Sequence, residues 1–341
     1  MNIVVVVAGG ISETLQATPL LRTLRAGEPS AQITLICPLN AQAIAAGVPA
    51  VDTVVGLHAL EGTPRAGGAA KTWWQLRRRR VDAVLLCSNR ASLRLAAFLA
   101  GVPERFGTGG GISSILLTGR THGEPDENRS PAWLRLASLA GIGQELHAPQ
   151  YEPGAEALRE ADRLIHGSGL ADGRLLVALA PGPGFAEIDG ELSNAISWDG
   201  ERYALLANQL ALRHGAGILF LVTQTDRPVV EQTMLDLGAS AVDLSGQLDL
   251  QVVAAILARC DLLVGGDTPL LHIAAAVGTP AVGLFGPTDG RRRGPYGSDH
   301  RIIQGVFGDP SKLPAGDGVI APSVMDQIRV EDVLASIEAA L

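Results

Sequence analysis

A chain of 341 residues is long for a single core and comfortable for two domains of ordinary size. Its net charge of −8 and pI near 5.4 argue against a nucleic-acid binder, whose binding domain is usually basic. Hydrophobic residues reach 47% and aromatics only 4%, with 41 glycines, a mix that suits helices close-packed on parallel strands.

Apolar strand-like runs begin at Ile3 (IVVVV), Ile33 (ITLIC) and Ala83 (AVLLC), and a helical stretch carrying Leu15, Leu20, Leu21 and Leu24 separates the first two. This rhythm predicts a mostly parallel sheet with helices on both faces. After Leu146 the pattern breaks at APQYEPG, and a helix rich in Ala, Leu, Glu and Arg runs to HGSG. A second series follows: LLVALAPG, a helix from about Gly200 to His214, GILFLVT, a helix after Asp226, and AVDLSG. It closes with the helix LQVVAAILARC, the strand DLLVGGD, a helix from Thr268 and the strand PAVGLFG. Residues 306–323 read as loop, and VEDVLASIEAAL as a terminal helix with Val330, Val333, Leu334 and Ile337 on its apolar side. Strands this apolar need cover on both faces. The expectation is two α/β domains joined near residues 148–172: a first over 1–165, a second over 170–325, and a closing helix over 326–341.

Cys37, Cys87 and Cys260 are widely spaced on apolar segments and read as buried free thiols, not as a disulfide frame. The seven histidines show no pair at ligand spacing, so no metal site is expected. The opening MNIVVVVAGG is too short for a secretory core and lacks a basic start. No apolar run approaches the roughly 18–20 residues of a membrane span. The protein is expected to be cytoplasmic, with any membrane contact peripheral.

The segment Gly265–Gly297, GGDTPLLHIAAAVGTPAVGLFGPTDGRRRGPYG, is the most informative. Asp267 closes a buried strand, Thr268 is a good N-cap, and Pro269 is a favoured first helical residue. A strand end that opens onto a helix start is an anion seat, because free N–H groups and the helix field converge there. Asp267 could accept hydrogen bonds from a sugar, and His272 lies one turn along from Thr268. Their structural alternatives are a capping aspartate and a packed histidine. Arg291, Arg292 and Arg293 follow the next strand; such a run is commonly a solvated face, but Arg beside a phosphate seat matches phosphate geometry. The first loop, AGGISET, lacks G-x-G-x-x-G and ICPLN ends the second strand without an acid, which argues against a nicotinamide dehydrogenase. Arg77 to Arg80 follow Trp73 and Trp74, and read either as a solvated helix end or as a surface for anionic lipid or a lipid-linked acceptor.

The string DTPLLHIAAAVGTPAVGLFGPTDGRRRGPYG resembles the signature of glycosyltransferase family 9, which contains the ADP-heptose:lipopolysaccharide heptosyltransferases. PLLRTLRAGEPSAQITLICP, LRRRRVDAVLLCSNRASLRLAAFLAGVPERFG and LSGQLDLQVVAAILARCDLLVGGD resemble earlier blocks of that family in the same order. The resemblance implies a GT-B fold: two Rossmann-like, doubly wound parallel-sheet domains facing a central cleft, acceptor on the first and nucleotide-sugar donor on the second. It also implies a metal-independent inverting transfer with no cofactor beyond the co-substrate, expected to be ADP-heptose. The acceptor would be a lipopolysaccharide or other cell-envelope glycan, lipid-linked or free, with peripheral contact at the cytoplasmic face of the inner membrane. Glu13 falls at the family's catalytic Asp and Ser12 at a glycine of that loop; the alternative for Glu13 is a helix-start carboxylate. Thr268 and Leu270 would offer N–H groups to the diphosphate, Asp267 and His272 would face the donor, and Asp226 would meet its ribose or simply cap a helix.

Two departures stand out. The family's basic residue before a Trp is absent from PGPGFAEIDGELSNAISW, where Ile196 and Ser197 precede Trp198. Pro269 replaces a glycine and removes one N–H from the seat. They leave two rivals to a transferase: a weakened relative that binds nucleotide or glycan, and a GT-B-like nucleotide-sugar epimerase.

Overall fold

The structure, a computed structural model, describes residues 1–60, 67–122, 127–143, 145–170, 175–182, 197–223, 226–246, 248–305 and 322–339. The chain divides into two compact units, Met1–Glu152 and Pro153–Leu341.

In the first unit, six parallel strands are ordered β3-β2-β1-β4-β5-β6. They are β1 (Asn2–Val7), β2 (Gln32–Pro38), β3 (Thr53–Leu57), β4 (Ala83–Cys87), β5 (Glu104–Thr108) and β6 (Gly119–Thr121). The period of two along β1 feeds two cores, one on each face of the sheet. Ile3, Val5 and Val7 pack with Leu20, Leu24 and Leu136, while Val4 and Val6 pack with Leu76, Leu93 and Ala97. The helix expected between β1 and β2 is two helices, Ile11–Gln16 and Thr18–Gly27, joined at Ala17. Pro19 explains the break: it has no N–H for the Leu15 carbonyl, which accepts the Thr18 hydroxyl at 2.7 Å instead.

The unit ends at Glu152 because its N–H donates to the Gly47 carbonyl at 2.9 Å, beside a buried Tyr151. The next helix, Ala155–Gly167, packs on the helix Leu250–Leu257 and so belongs to the second unit, ahead of the division expected at 165–170.

The second unit repeats the winding. Its parallel strands run β12-β11-β10-β7-β8-β9: β7 (Leu176–Ala180), β8 (Gly217–Phe220), β9 (Ala241–Asp243), β10 (Leu262–Gly265), β11 (Ala281–Phe285) and β12 (His300–Gln304). The helix Gly200–His214 takes the span expected of it, with the Asp199 carboxylate accepting the Glu201 N–H at 2.8 Å. The terminal helix, Val330–Glu338, sets Val333, Leu334 and Ile337 into the same core as Leu206 and Leu210. It is a layer of this unit and not a separate appendage. Of the expected loop 306–323, residues 306–321 lie outside the described residues.

All three cysteines are buried and free. Burial pushes the Cys37 thiol up to about 12 and raises those of Cys87 and Cys260 as well. The thiolate is the reactive form. Iodoacetamide at pH 8 is therefore expected to leave the native protein unmodified and to alkylate all three thiols in denaturant. Mass spectrometry reads the outcome, and stoichiometric labelling of native protein would contradict this burial.

Candidate active site

Both sheets have the strand order of doubly wound nucleotide-binding folds, in which ligands sit at the carboxyl ends of strands where the winding reverses. In the first unit the reversal lies between β1 and β4. The loop after β1 carries Gly9, Gly10, Ser12 and Glu13, and Glu13 stands in the first turn of the helix Ile11–Gln16. One carboxylate oxygen accepts the Gly10 N–H at 2.9 Å, and the other pairs with Arg129 Nη1 at 2.9 Å. Gly9 makes room for this arrangement. Its φ is +136°, and a Cβ there would lie 2.7 Å from the Glu13 carboxyl carbon. With a side chain 20% exposed, Glu13 is oriented on two sides yet reachable, and a carboxylate keeps further lone pairs for a donor.

Arg90, at the start of the helix Ala91–Leu99 after β4, completes this end of the sheet. Burial lowers its guanidinium pKa, and the nearby Glu13 charge offsets part of that. The Leu60 carbonyl accepts from Gly9 N–H at 3.0 Å and from Arg90 Nη1 at 3.5 Å, tying the ends of three strands together. Neither Arg90 nor Arg129 was singled out in the sequence. Arg129 lies 116 residues from Glu13 and carries no local pattern. Arg90 sits in CSNRAS, where it reads as an ordinary helix start.

In the second unit the reversal lies between β7 and β10. Asp267 follows β10, is buried, and accepts Arg293 Nε at 2.6 Å. Thr268 caps the helix Pro269–Val277, and His272 is buried one turn further on. Here the expectation of open N–H groups fails. The Thr268 N–H donates to the Gly266 carbonyl at 2.8 Å, and the Leu270 N–H donates to the Thr268 hydroxyl at 3.2 Å. A threonine N-cap satisfies the helix start from its own side chain, so the donors that would meet an anion are engaged. The helix field remains.

The three arginines occupy the short helix Gly290–Arg293 and diverge. Arg291 is bound to Asp289 through Nε at 3.1 Å and Nη2 at 2.9 Å, Arg293 reaches Asp267, and Arg292 is half-buried. Asp226 precedes the helix Arg227–Leu235, but its side chain does not cap it. Instead the carboxylate accepts the Thr223 hydroxyl at 2.6 Å and lies over Gly182, just past β7, where a Cβ would sit 3.1 Å from it. Gly182 has φ +102°, so the close approach and the backbone both call for glycine. Asp226, Gly182 and Asp267 thus mark three adjacent strand ends. The segment 183–196, which lacks the family's basic residue, lies outside the described residues.

Against known families, the model for glycosyltransferase family 9 (heptosyltransferase) matches residues 69–312. The chain belongs to glycosyltransferase family 9. As a member of that family it is a glycosyltransferase, which favours transfer over the epimerase and non-catalytic alternatives. This family 9 enzyme is 25% identical over 320 residues to lipopolysaccharide heptosyltransferase 2 of Escherichia coli K12, covering 90% of this chain and 89% of that relative. A glycosyltransferase family 9 structure from Veillonella parvula matches it with a TM-score of 0.81 at 19% identity, over 99% of this chain and 96% of the other. The E. coli heptosyltransferase WaaC, solved with ADP-2-deoxy-2-fluoro heptose, matches at 0.73 and 17% over the full length of both. These likenesses, with the two doubly wound sheets, make the fold of the enzyme GT-B.

Proposed function

We propose that this glycosyltransferase moves heptose from ADP-heptose to a lipopolysaccharide or related envelope-glycan acceptor, with inversion and without a metal. The main support is the near-full-length likeness to an enzyme named for heptosyl transfer to lipopolysaccharide. In this reading an acceptor hydroxyl attacks the anomeric carbon of the donor, Glu13 takes its proton, and the nucleoside diphosphate leaves. Ser12 lines the acceptor side. Asp267, Thr268, Leu270 and His272 form the donor seat, with Asp226 meeting the ribose. Because the Thr268 and Leu270 N–H groups are bonded internally, the leaving diphosphate draws mainly on the helix field and on Arg293 and Arg292, with Arg291 held by Asp289. The enzyme would work in the cytoplasm, at the inner face of the inner membrane. Among the described residues no helix is long and apolar enough to cross a membrane.

The test is incubation with ADP-heptose and a heptose-deficient lipopolysaccharide core, with and without EDTA. The expected result is a heptosylated core of inverted anomeric configuration at a rate that EDTA leaves unchanged. A retained configuration, or loss of the rate in EDTA, would remove the mechanism. Release of ADP without acceptor modification would remove the transfer.

A further inference from the structure

We propose that the helices Gly68–Arg79 and Ala91–Leu99, with the turn Ile112–Leu116, form a docking surface for an anionic lipid bilayer. The choice of a bilayer rests on the envelope-glycan reading above; the chemistry stands on this face of the first unit. The two helices pack on each other, and the turn packs on the second. Each helix turns one side into the core, through Leu76 on the first and Leu93, Ala96 and Ala97 on the second. Their opposite sides carry large apolar groups, among basic ones on the first helix, where a solvated helix face is usually polar throughout. Trp73 and Trp74 are exposed on the first helix, and Leu95, Phe98 and Leu99 form one exposed stripe on the second. Ile112 and Ile115, on the adjoining turn, are 96% and 84% exposed. Large apolar side chains exposed on three elements packed in succession are the kind of feature that marks an interaction surface.

The charge on this face selects the partner. From Lys71 to Arg80 there are five basic side chains and no acid, in a chain whose net charge is −8. Arg78 lies 4.3 Å over the Trp74 ring, and Arg105 lies 5.6 Å from the Phe98 ring centre. Aromatic rings interleaved with cations match the boundary between acyl chains and anionic headgroups. Arg80 ends its helix at φ +50°, the left-handed conformation usually given to glycine or asparagine, so a basic residue stands where the backbone favours those two. Two copies of such a face would repel each other, which disfavours self-association through it.

The experiment is sedimentation of the whole enzyme with phosphatidylcholine vesicles, with and without phosphatidylglycerol. Fluorescence supplies a second readout: of four tryptophans, Trp133 and Trp198 are buried, so a blue shift reports Trp73 and Trp74. Binding is expected only with phosphatidylglycerol, with a blue shift and with weakening in salt. Arg77→Glu with Arg78→Glu should lower the partition constant by at least about 25-fold, roughly fivefold for each arginine lost. Trp73→Ser with Trp74→Ser should lower it as well, while Leu212→Ser, on an exposed face of the second unit, should not. Circular dichroism checks that the variants fold. Equal binding to neutral vesicles, no binding, or wild-type binding by both patch variants would overturn the proposal. So would a dimer that the same variants dissolve. The readout needs neither donor nor acceptor, so failed heptosyl transfer and failed docking remain separate results.

Discussion

Glu13→Gln is expected to lower kcat by about 10²–10⁴, the range of a lost general base, with little change in donor KM. The substitution preserves size and leaves an oxygen for the Gly10 N–H, so the first helix should stay in place. What it removes is the capacity to take a proton and the charge that Arg129 pairs with. Glu13→Asp is the informative companion, since it restores the family's residue but draws the carboxylate back by one methylene. The geometry favours the longer side chain in this chain. Gly9 and Gly10 shape the loop around a glutamate that spans from the Gly10 N–H to Arg129. The aspartate variant should therefore keep a base yet lose much of the rate, because misplacement by about 1 Å can cost around 100-fold. Rates within a few-fold of wild type for Glu13→Gln would leave Glu13 as a cap and an ion-pair partner only.

The second large effect concerns stability. Trp198→Ala should destabilise the second unit by about 3–5 kcal/mol, the usual range for an aromatic core truncation. Trp198 is 1% exposed, and its Nε1 donates to the Ile328 carbonyl at 2.9 Å. Its ring meets Tyr203 edge-on at 5.0 Å, and the Tyr203 hydroxyl donates to the carbonyl of Ala180, the last residue of β7, at 3.3 Å. Thus the point where the chain leaves β7 and the point where it returns at Trp198 are held by one aromatic pair. The same tryptophan anchors the approach to the terminal helix. Arg202 also donates to the Ile328 carbonyl, at 2.8 Å, so that acceptor is not orphaned and the loss is mainly packing. Trp198→Phe should retain most of the stability and cost about 1 kcal/mol for the hydrogen bond. Urea unfolding measures both, and a shift below about 1 kcal/mol for the alanine variant would show that the site collapses without penalty.

Apolar periodicity carried the fold because parallel strands covered on both faces have little freedom in composition. IVVVV, AVLLC, LLVALA and DLLVG all became central strands. The strands that periodicity missed, β3, β5, β6 and β12, are short or mixed in polarity and occupy outer positions of their sheets, where one edge or face is less enclosed. The site was legible where its residues are local. Thr268 caps the helix that its sequence announces, and Asp267 stands two residues past the end of its strand. What escaped was every relation between distant residues. The pairing of Arg293 with Asp267, of Arg129 with Glu13, and of Asp226 with Gly182 depends on which strand ends become neighbours. The internal bonding of the Thr268 and Leu270 N–H groups escaped for another reason: one threonine can serve as cap or as anion seat with the same sequence.

The winding of the first sheet also has a consequence in time. β1 pairs on one side with β2, Val5 opposite Leu35, and on the other with β4, Val5 opposite Leu85. During synthesis at about 5–20 residues per second, roughly 4–16 s separate the emergence of Val5 from that of its second neighbour. For that interval the most uniformly β-branched strand of the half has an open edge. An uncovered β-branched edge is a template for pairing with another chain, so that interval exposes the emerging half to aggregation before any active site exists.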